Sequence, residues 1–225
     1  MNRESPDTGS SLVVSYLALR KAVGILGIAL PFVLAFGGML IDKPGIQSSI
    51  SSYYHTGMRD IFVGTLCAIA VFLMSYKGYE PKDDRAGVLA CIFAVGVALL
   101  PTAPDSDPTS RQKLIGHLHL LFAVLFFLTL AYFSLRLFTK TDKTKVPTRR
   151  KLQRNVVYKA CGYTMLAALI LIVILAFLQG QAILEVKRLA LVFWLESIAI
   201  VAFGISWLTK GEAILKDETY SRLSM

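Results

Sequence analysis

Apolar residues run along this chain in six long stretches, roughly 22–41, 61–76, 86–101, 114–138, 156–179 and 189–208, each bounded by polar or turn-forming residues. A helix rising ~1.5 Å per residue needs ~20 residues to cross a ~30 Å hydrocarbon core, so each stretch predicts a membrane-crossing helix. The second and third are short, and are expected to draw on flanking residues or to meet a locally thin bilayer. The expected fold is all-α, a polytopic membrane protein built as a six-transmembrane-helix bundle. One transmembrane domain over residues 16–210 is expected between a polar N-terminal segment, 1–15, and a tail, 211–225. The first apolar run is too long for a signal peptide and lacks a small-residue cleavage site, so it is expected to be retained as a helix.

Composition fits this pattern. The chain is 55% hydrophobic and 17% charged, where a soluble domain is about 45–50% apolar and about 25% charged, which excludes a disordered chain and an ordinary soluble domain. A net charge of +9 points to nucleic acid only if it forms a soluble basic surface. Instead, 18 of the 24 Lys and Arg residues lie at one set of helix ends: the N-terminus, 77–85, 136–159 and the tail. By the positive-inside rule, those ends and both termini are expected on the cytoplasmic side of a bacterial inner membrane. Membrane lipids are then the expected partners, and nucleic acid is not. The densest basic loop, TKTDKTKVPTRRKLQR at Thr139 to Arg154, reads as a topology determinant held against anionic headgroups. Cys67, Cys91 and Cys161 fall inside predicted spans without metal-ligand spacing and read as packing residues.

Candidate chemistry lies in the ionisable residues near membrane depth, because hydrocarbon penalises them unless they face a cavity or a partner. All three histidines, His55, His117 and His119, fall toward the outer ends of the helices. The segment from Asp42 to Asp60, DKPGIQSSISSYYHTGMRD, carries Tyr53 and Tyr54, which read as headgroup-level anchors and candidate substrate contacts. Asp60 opens the second helix, where a carboxylate complements the helix dipole. Its four-residue spacing to Gly64 and Ala68 predicts a small-residue face turned into the bundle. His117 and His119 stand about 200° apart on the fourth helix, so one is expected inside and one outside. His119 shares its face with Gly116 and Ala123 and is expected inward; His117, beside Lys113 and Leu121, is expected near the headgroups as a substrate contact. Glu196 lies eight residues beyond Arg188, ~12 Å into the last helix. Facing lipid there it would cost about 2.5–3.5 kcal/mol, so it needs a cation, a proton or a metal. Asp105 and Asp107, set among Pro, Ser and Thr, read as turn and cap residues.

The Ser51-x-x-x-His55 pair, with Asp60 and a later histidine, resembles the membrane hydrolase superfamily that includes alkaline ceramidases and adiponectin-type receptors. That resemblance implies zinc on helix-borne histidines, with Ser51 and Asp60 assisting a bound water. Along its whole length, through SSYYHTGMRDIFVG, ALLPTAP and VFWLESIAIVAFGISWLTKGE, the chain is similar to uncharacterised six-helix bacterial integral membrane proteins, which implies fold and compartment only.

These readings converge on an intramembrane metal-dependent hydrolase acting on a lipid or lipid-linked substrate from the outer leaflet. His55 and His119 would be metal ligands, and Asp60 a third ligand or orienter. Glu196 would be a fourth ligand or general base, with Ser51 as a further catalytic group. Zinc accepts such nitrogen and oxygen donors. Two alternatives remain open: a small proton-coupled transporter using Glu196 and His119, and a non-catalytic assembly or sensor protein whose polar cluster fixes helix register.

Overall fold

A computed structural model describes residues 8–42, 45–78, 80–104, 107–141, 146–177, 184–186 and 189–216. The chain is 79% helical, with no strand among the described residues. Six helices stand at the six apolar stretches: α1 (Thr8–Ile41), α2 (Arg59–Met74), α3 (Pro81–Leu99), α4 (Ser110–Tyr132), α5 (Arg149–Ala176) and α6 (Leu191–Lys210). A short 3-10 helix, Ser51–His55, sits between α1 and α2, and a π-helical turn, Phe133–Leu137, prolongs α4. Four of the helices, in α1, α4, α5 and α6, are long and apolar enough to cross a membrane. At 16 and 19 residues, α2 and α3 reach only ~24 Å and ~28 Å. α1 starts at Thr8, inside the segment expected to be a polar tail.

The sequence marks where three helices begin. Thr109 and Gln112 form a reciprocal capping box at the start of α4, Glu80 and Asp83 form another at α3, and the Thr148 side chain accepts the Lys151 N–H at 3.1 Å to open α5. The helices then pack in chain order, each on the next, and α6 closes the ring on α1.

Between helices in a membrane, association rests on close packing and a few polar bonds, since lipid is as apolar as leucine. The α1–α6 contact uses glycine for this. A Cβ at Gly24 would stand 2.8 Å from the Gly204 carbonyl, and one at Gly204 would stand 2.7 Å from the Gly24 carbonyl. Across the ring, the buried hydroxyls of Ser134 and Ser206 join the end of α4 to α6 at 2.7 Å. Beside them Tyr76, Phe133, Phe138, Tyr158, Phe203 and Trp207 form a continuous aromatic cluster near the end of the bundle that carries Lys210. We call that the basic end, and the opposite one, which carries His55, the histidine end.

The core face of α2 consists of Phe62, Leu66, Ile69, Ala70 and Leu73. That placement corrects the expectation for Asp60. Asp60 and Gly64 lie on the exposed side, and a Cβ at Gly64 would meet nothing within 4 Å. The large apolar side chains outweighed the small-residue spacing in choosing which face of the helix is buried. All three cysteines are free thiols.

Candidate functional site at the histidine end

The loop after α1 folds over the ring and is held by short polar bonds. Just ahead of the 3-10 helix, Ser49 Oγ accepts the Ser52 N–H at 3.0 Å, and the hydroxyls of Ser48 and Ser49 both bond that of Ser52. Asp42 accepts the Gly57 N–H on both oxygens, at 3.1 and 3.0 Å, closing the loop on itself. Two further bonds fasten it to α6: the Phe193 N–H donates to the Ser48 carbonyl at 3.1 Å, and Glu196 Oε2 accepts the Ile50 N–H at 2.6 Å.

Glu196 therefore finds its partners in backbone amides. The Ser51 N–H faces the same carboxylate, so the side chain sits at the N-terminal end of the 3-10 helix and takes donors that the helix leaves unpaired. Below it lies a narrow cavity of about 30 Å³, room for one or two waters, with Ser51 and Glu196 on its polar edge and Leu30, Phe62, Phe126 and Phe127 among its walls.

Both candidate ligand histidines reach the loop that follows α3. His119 is 5% exposed and donates from Nδ1 to the Leu100 carbonyl at 2.6 Å; His55 is exposed and donates from Nε2 to the Thr102 carbonyl at 2.9 Å. A carbonyl oxygen only accepts, so each ring carries its proton on the nitrogen named. His117 is exposed, as the small-residue stripe on the other face of α4 predicts. A Cβ at Gly116 on that stripe would stand 2.8 Å from the Ala103 nitrogen, so the same loop lies directly across α4.

The two tyrosines have different surroundings. Tyr53 is wholly buried against Phe193, over a space that Gly38 leaves open, so it builds the site instead of anchoring at headgroup level. Burial raises its phenol above the ordinary tyrosine value, with the Gln47 N–H pulling it back down. Tyr54 is half-buried; its hydroxyl accepts from Arg59 at 2.9 Å and its ring lies 4.6 Å below the Arg59 guanidinium. Together with Asp60 they line a separate open pocket between α2 and α3. Asp107 has a left-handed φ of +42° in the turn before α4, as a turn aspartate can; Asp105 lies outside the described residues.

Thus the structure brings Ser51 to Glu196, and His55 and His119 to one loop, but leaves Asp60 apart. A catalytic zinc needs three protein donors. Among the described residues no three His, Cys, Asp or Glu side chains stand together as a metal site. Sequence reasoning missed Ile50 and Asp42. Ile50 contributes only a backbone amide, which no residue type signals; Asp42, just past the end of an apolar run, was legible as a loop-closing acceptor. Comparison of the chain with family models, curated proteins and solved structures finds no match.

Proposed function

We propose that the chain is a multi-pass protein of the bacterial cytoplasmic membrane, six helices crossing with both termini inside, that acts on a lipid or lipid-linked substrate at its outer, histidine end. The observation that carries this reading is the Glu196 latch: an acidic side chain on a membrane-crossing helix, fixed by amides of a surface loop, at the edge of a cavity sized for water. The loop acts as a lid. When the polar part of a substrate displaces the Ile50 and Ser51 amides, the carboxylate becomes a general base. It takes a proton from water in the cavity as the oxygen attacks an ester or amide carbonyl near the glycerol or sphingoid level; the tetrahedral adduct then collapses, the acyl–oxygen or acyl–nitrogen bond breaks, and the alcohol or amine leaves with the proton returned by Glu196. Ser51 lies on the same cavity edge and orients that water or the substrate.

The competing reading makes Glu196 a register-fixing cap in a non-catalytic assembly or sensor protein, and it is favoured by the same hydrogen bond. The two separate in one assay. The protein is reconstituted into vesicles of total bacterial lipid, and lipid species are followed by mass spectrometry. Depletion of an ester- or amide-linked lipid that slows about 100-fold or more in Glu196→Gln is expected. Lipid profiles that are the same for wild type, Glu196→Gln and empty vesicles would sink the hydrolytic reading. Stoichiometric zinc in the purified protein, lost in His119→Ala, would replace it by a metal-dependent one.

A further inference from the structure

A separate cavity of about 350 Å³ opens between the start of α2 and the end of α3, at the histidine end; small-ligand pockets measure about 300–1,000 Å³. Arg59 and Asp60 line it from the first turn of α2. Val63 and Gly64 follow one turn on, ~6 Å further along the helix, and Ala98 and Leu99 of α3 stand across from them. The cavity thus has two opposite charges at its mouth and an apolar furrow behind. Gly64 keeps that furrow wide, since a Cβ there would meet nothing within 4 Å, and Leu99 on the far wall is 58% exposed.

The two charges do not close on each other. Successive residues of a helix do not share a face, and Arg59 turns back over Tyr54, its guanidinium 4.6 Å from the ring centre and one nitrogen donating to the hydroxyl at 2.9 Å. That bond takes one of five N–H donors and holds the fork in place. Among the described residues no cation stands within ion-pair distance of Asp60. Four helices long and apolar enough to cross a membrane put the ends of the bundle at its surfaces, so the charges lie at headgroup level and the furrow leads toward hydrocarbon. Such a layout suits an amphiphile whose head carries both signs.

We propose that this cavity binds a phosphoethanolamine-headed lipid, with its phosphate on Arg59, its ammonium on Asp60 and the start of an acyl chain in the Gly64 furrow. The phosphate accepts from the guanidinium, and the ammonium donates to the carboxylate, both charge-assisted bonds. A choline head has no N–H to give Asp60, and the Tyr54 face that would attract a quaternary ammonium is taken by Arg59. A glycerol head brings no cation to the carboxylate. The apolar furrow selects a lipid over the soluble headgroup alone. Such binding rests on the reading of the histidine end as a membrane surface, and not on hydrolysis at Glu196.

Native mass spectrometry of the full-length protein in neutral detergent tests it, with palmitoyl-oleoyl phosphatidylethanolamine, phosphatidylcholine and phosphatidylglycerol titrated one at a time. The ethanolamine lipid should bind with a Kd about tenfold below the other two. Asp60→Asn should remove that preference by raising the ethanolamine Kd about tenfold, while the choline Kd stays as it was. Arg59→Gln should weaken ethanolamine and glycerol lipids alike, and Gly64→Leu should weaken all three by filling the furrow. Arg111→Gln, at an exposed cation of the same end, should change nothing, and Glu196→Gln should keep the preference, which separates this binding from the hydrolytic reading. Arg59, Asp60 and Gly64 are exposed, so unfolding midpoints near that of wild type are expected and confirm that the variants fold. Equal affinity for the three lipids, or a preference that Asp60→Asn keeps, overturns the proposal. So does soluble O-phosphoethanolamine binding as tightly as the lipid, which would leave the furrow without an occupant.

Discussion

Glu196 and Asp60 illustrate what one residue's context decides. Both are acids near the same end of the bundle, and the sequence assigned both to its interior. Glu196 was readable because seven apolar residues, Leu189 to Leu195, separate it from Arg188, so that lipid, cavity or partner were the available surroundings. Asp60 was misread because its argument rested on two small residues, whereas four large apolar residues on the other face of α2, Phe62, Leu66, Ile69 and Leu73, decided the rotation of the helix. The partners of Glu196 were beyond sequence reasoning, since a backbone amide is common to nearly every residue. They yield a graded prediction. Glu196→Ala strands the Ile50 and Ser51 amides in a site with little water, at about 1–3 kcal/mol for each donor left without an acceptor. Glu196→Gln keeps a neutral acceptor oxygen and should cost only about 1 kcal/mol. Unfolding in detergent should therefore rank wild type above Gln above Ala, with faster hydrogen exchange confined to residues 48–52 in the Gln variant. Equal stability of the Ala variant and wild type would remove the latch from the account.

At the scale of elements, the six apolar runs located every long helix, while their ends and contacts were set by features that a hydropathy pattern does not carry. Four runs gave helices long enough to span; the charged residues of PKDDR entered the first turns of α3 and left it less uniformly apolar. The α1–α6 contact depends on glycines whose spacing alone did not identify their partner. Gly24 and Gly204 each stand where a methyl group would strike the carbonyl of the other, below 3 Å, and a backbone atom cannot swing aside as a side-chain tip can. Gly24→Ala and Gly204→Ala should each destabilise the protein, by about 1–3 kcal/mol for the forced separation of the helices. Gly64→Ala is the matched control. It meets nothing within 4 Å, and removing a helix-interior glycine should be neutral or stabilise by up to about 1 kcal/mol. Three midpoints from one thermal series check the contrast, and a loss at Gly64 equal to that at Gly24 would show that helix propensity, not close approach, governs these positions.

At the scale of the whole molecule, the question is whether α2 and α3 cross the bilayer with the other four. Their lengths alone argue against it, but their attachments argue for it. The Tyr16 hydroxyl accepts the Lys77 N–H at 2.6 Å, so the link between α2 and α3 sits level with the basic-end part of α1. At the other end, Asp42 just past α1 holds Gly57 just before α2. The α2–α3 pair therefore covers the same depth as the 26 residues of α1 from Tyr16 to Ile41, a helix of ~39 Å. The deficit in α2 is made up by the non-helical residues at its ends, 57–58 and 75–77. In the six-span arrangement proposed above, 18 of the 24 cations fall on one side of the membrane, and the excess reads as an orientation signal. Cysteine accessibility tests the arrangement. In a background with Cys67, Cys91 and Cys161 replaced by Ala, a membrane-impermeant maleimide should label Arg111→Cys in intact cells. It should reach Lys77→Cys and Val146→Cys only after the inner membrane is permeabilised. Labelling of Lys77→Cys from outside would leave α2 and α3 as a re-entrant pair in a four-span protein, and would move the loop between them to the same side as His55.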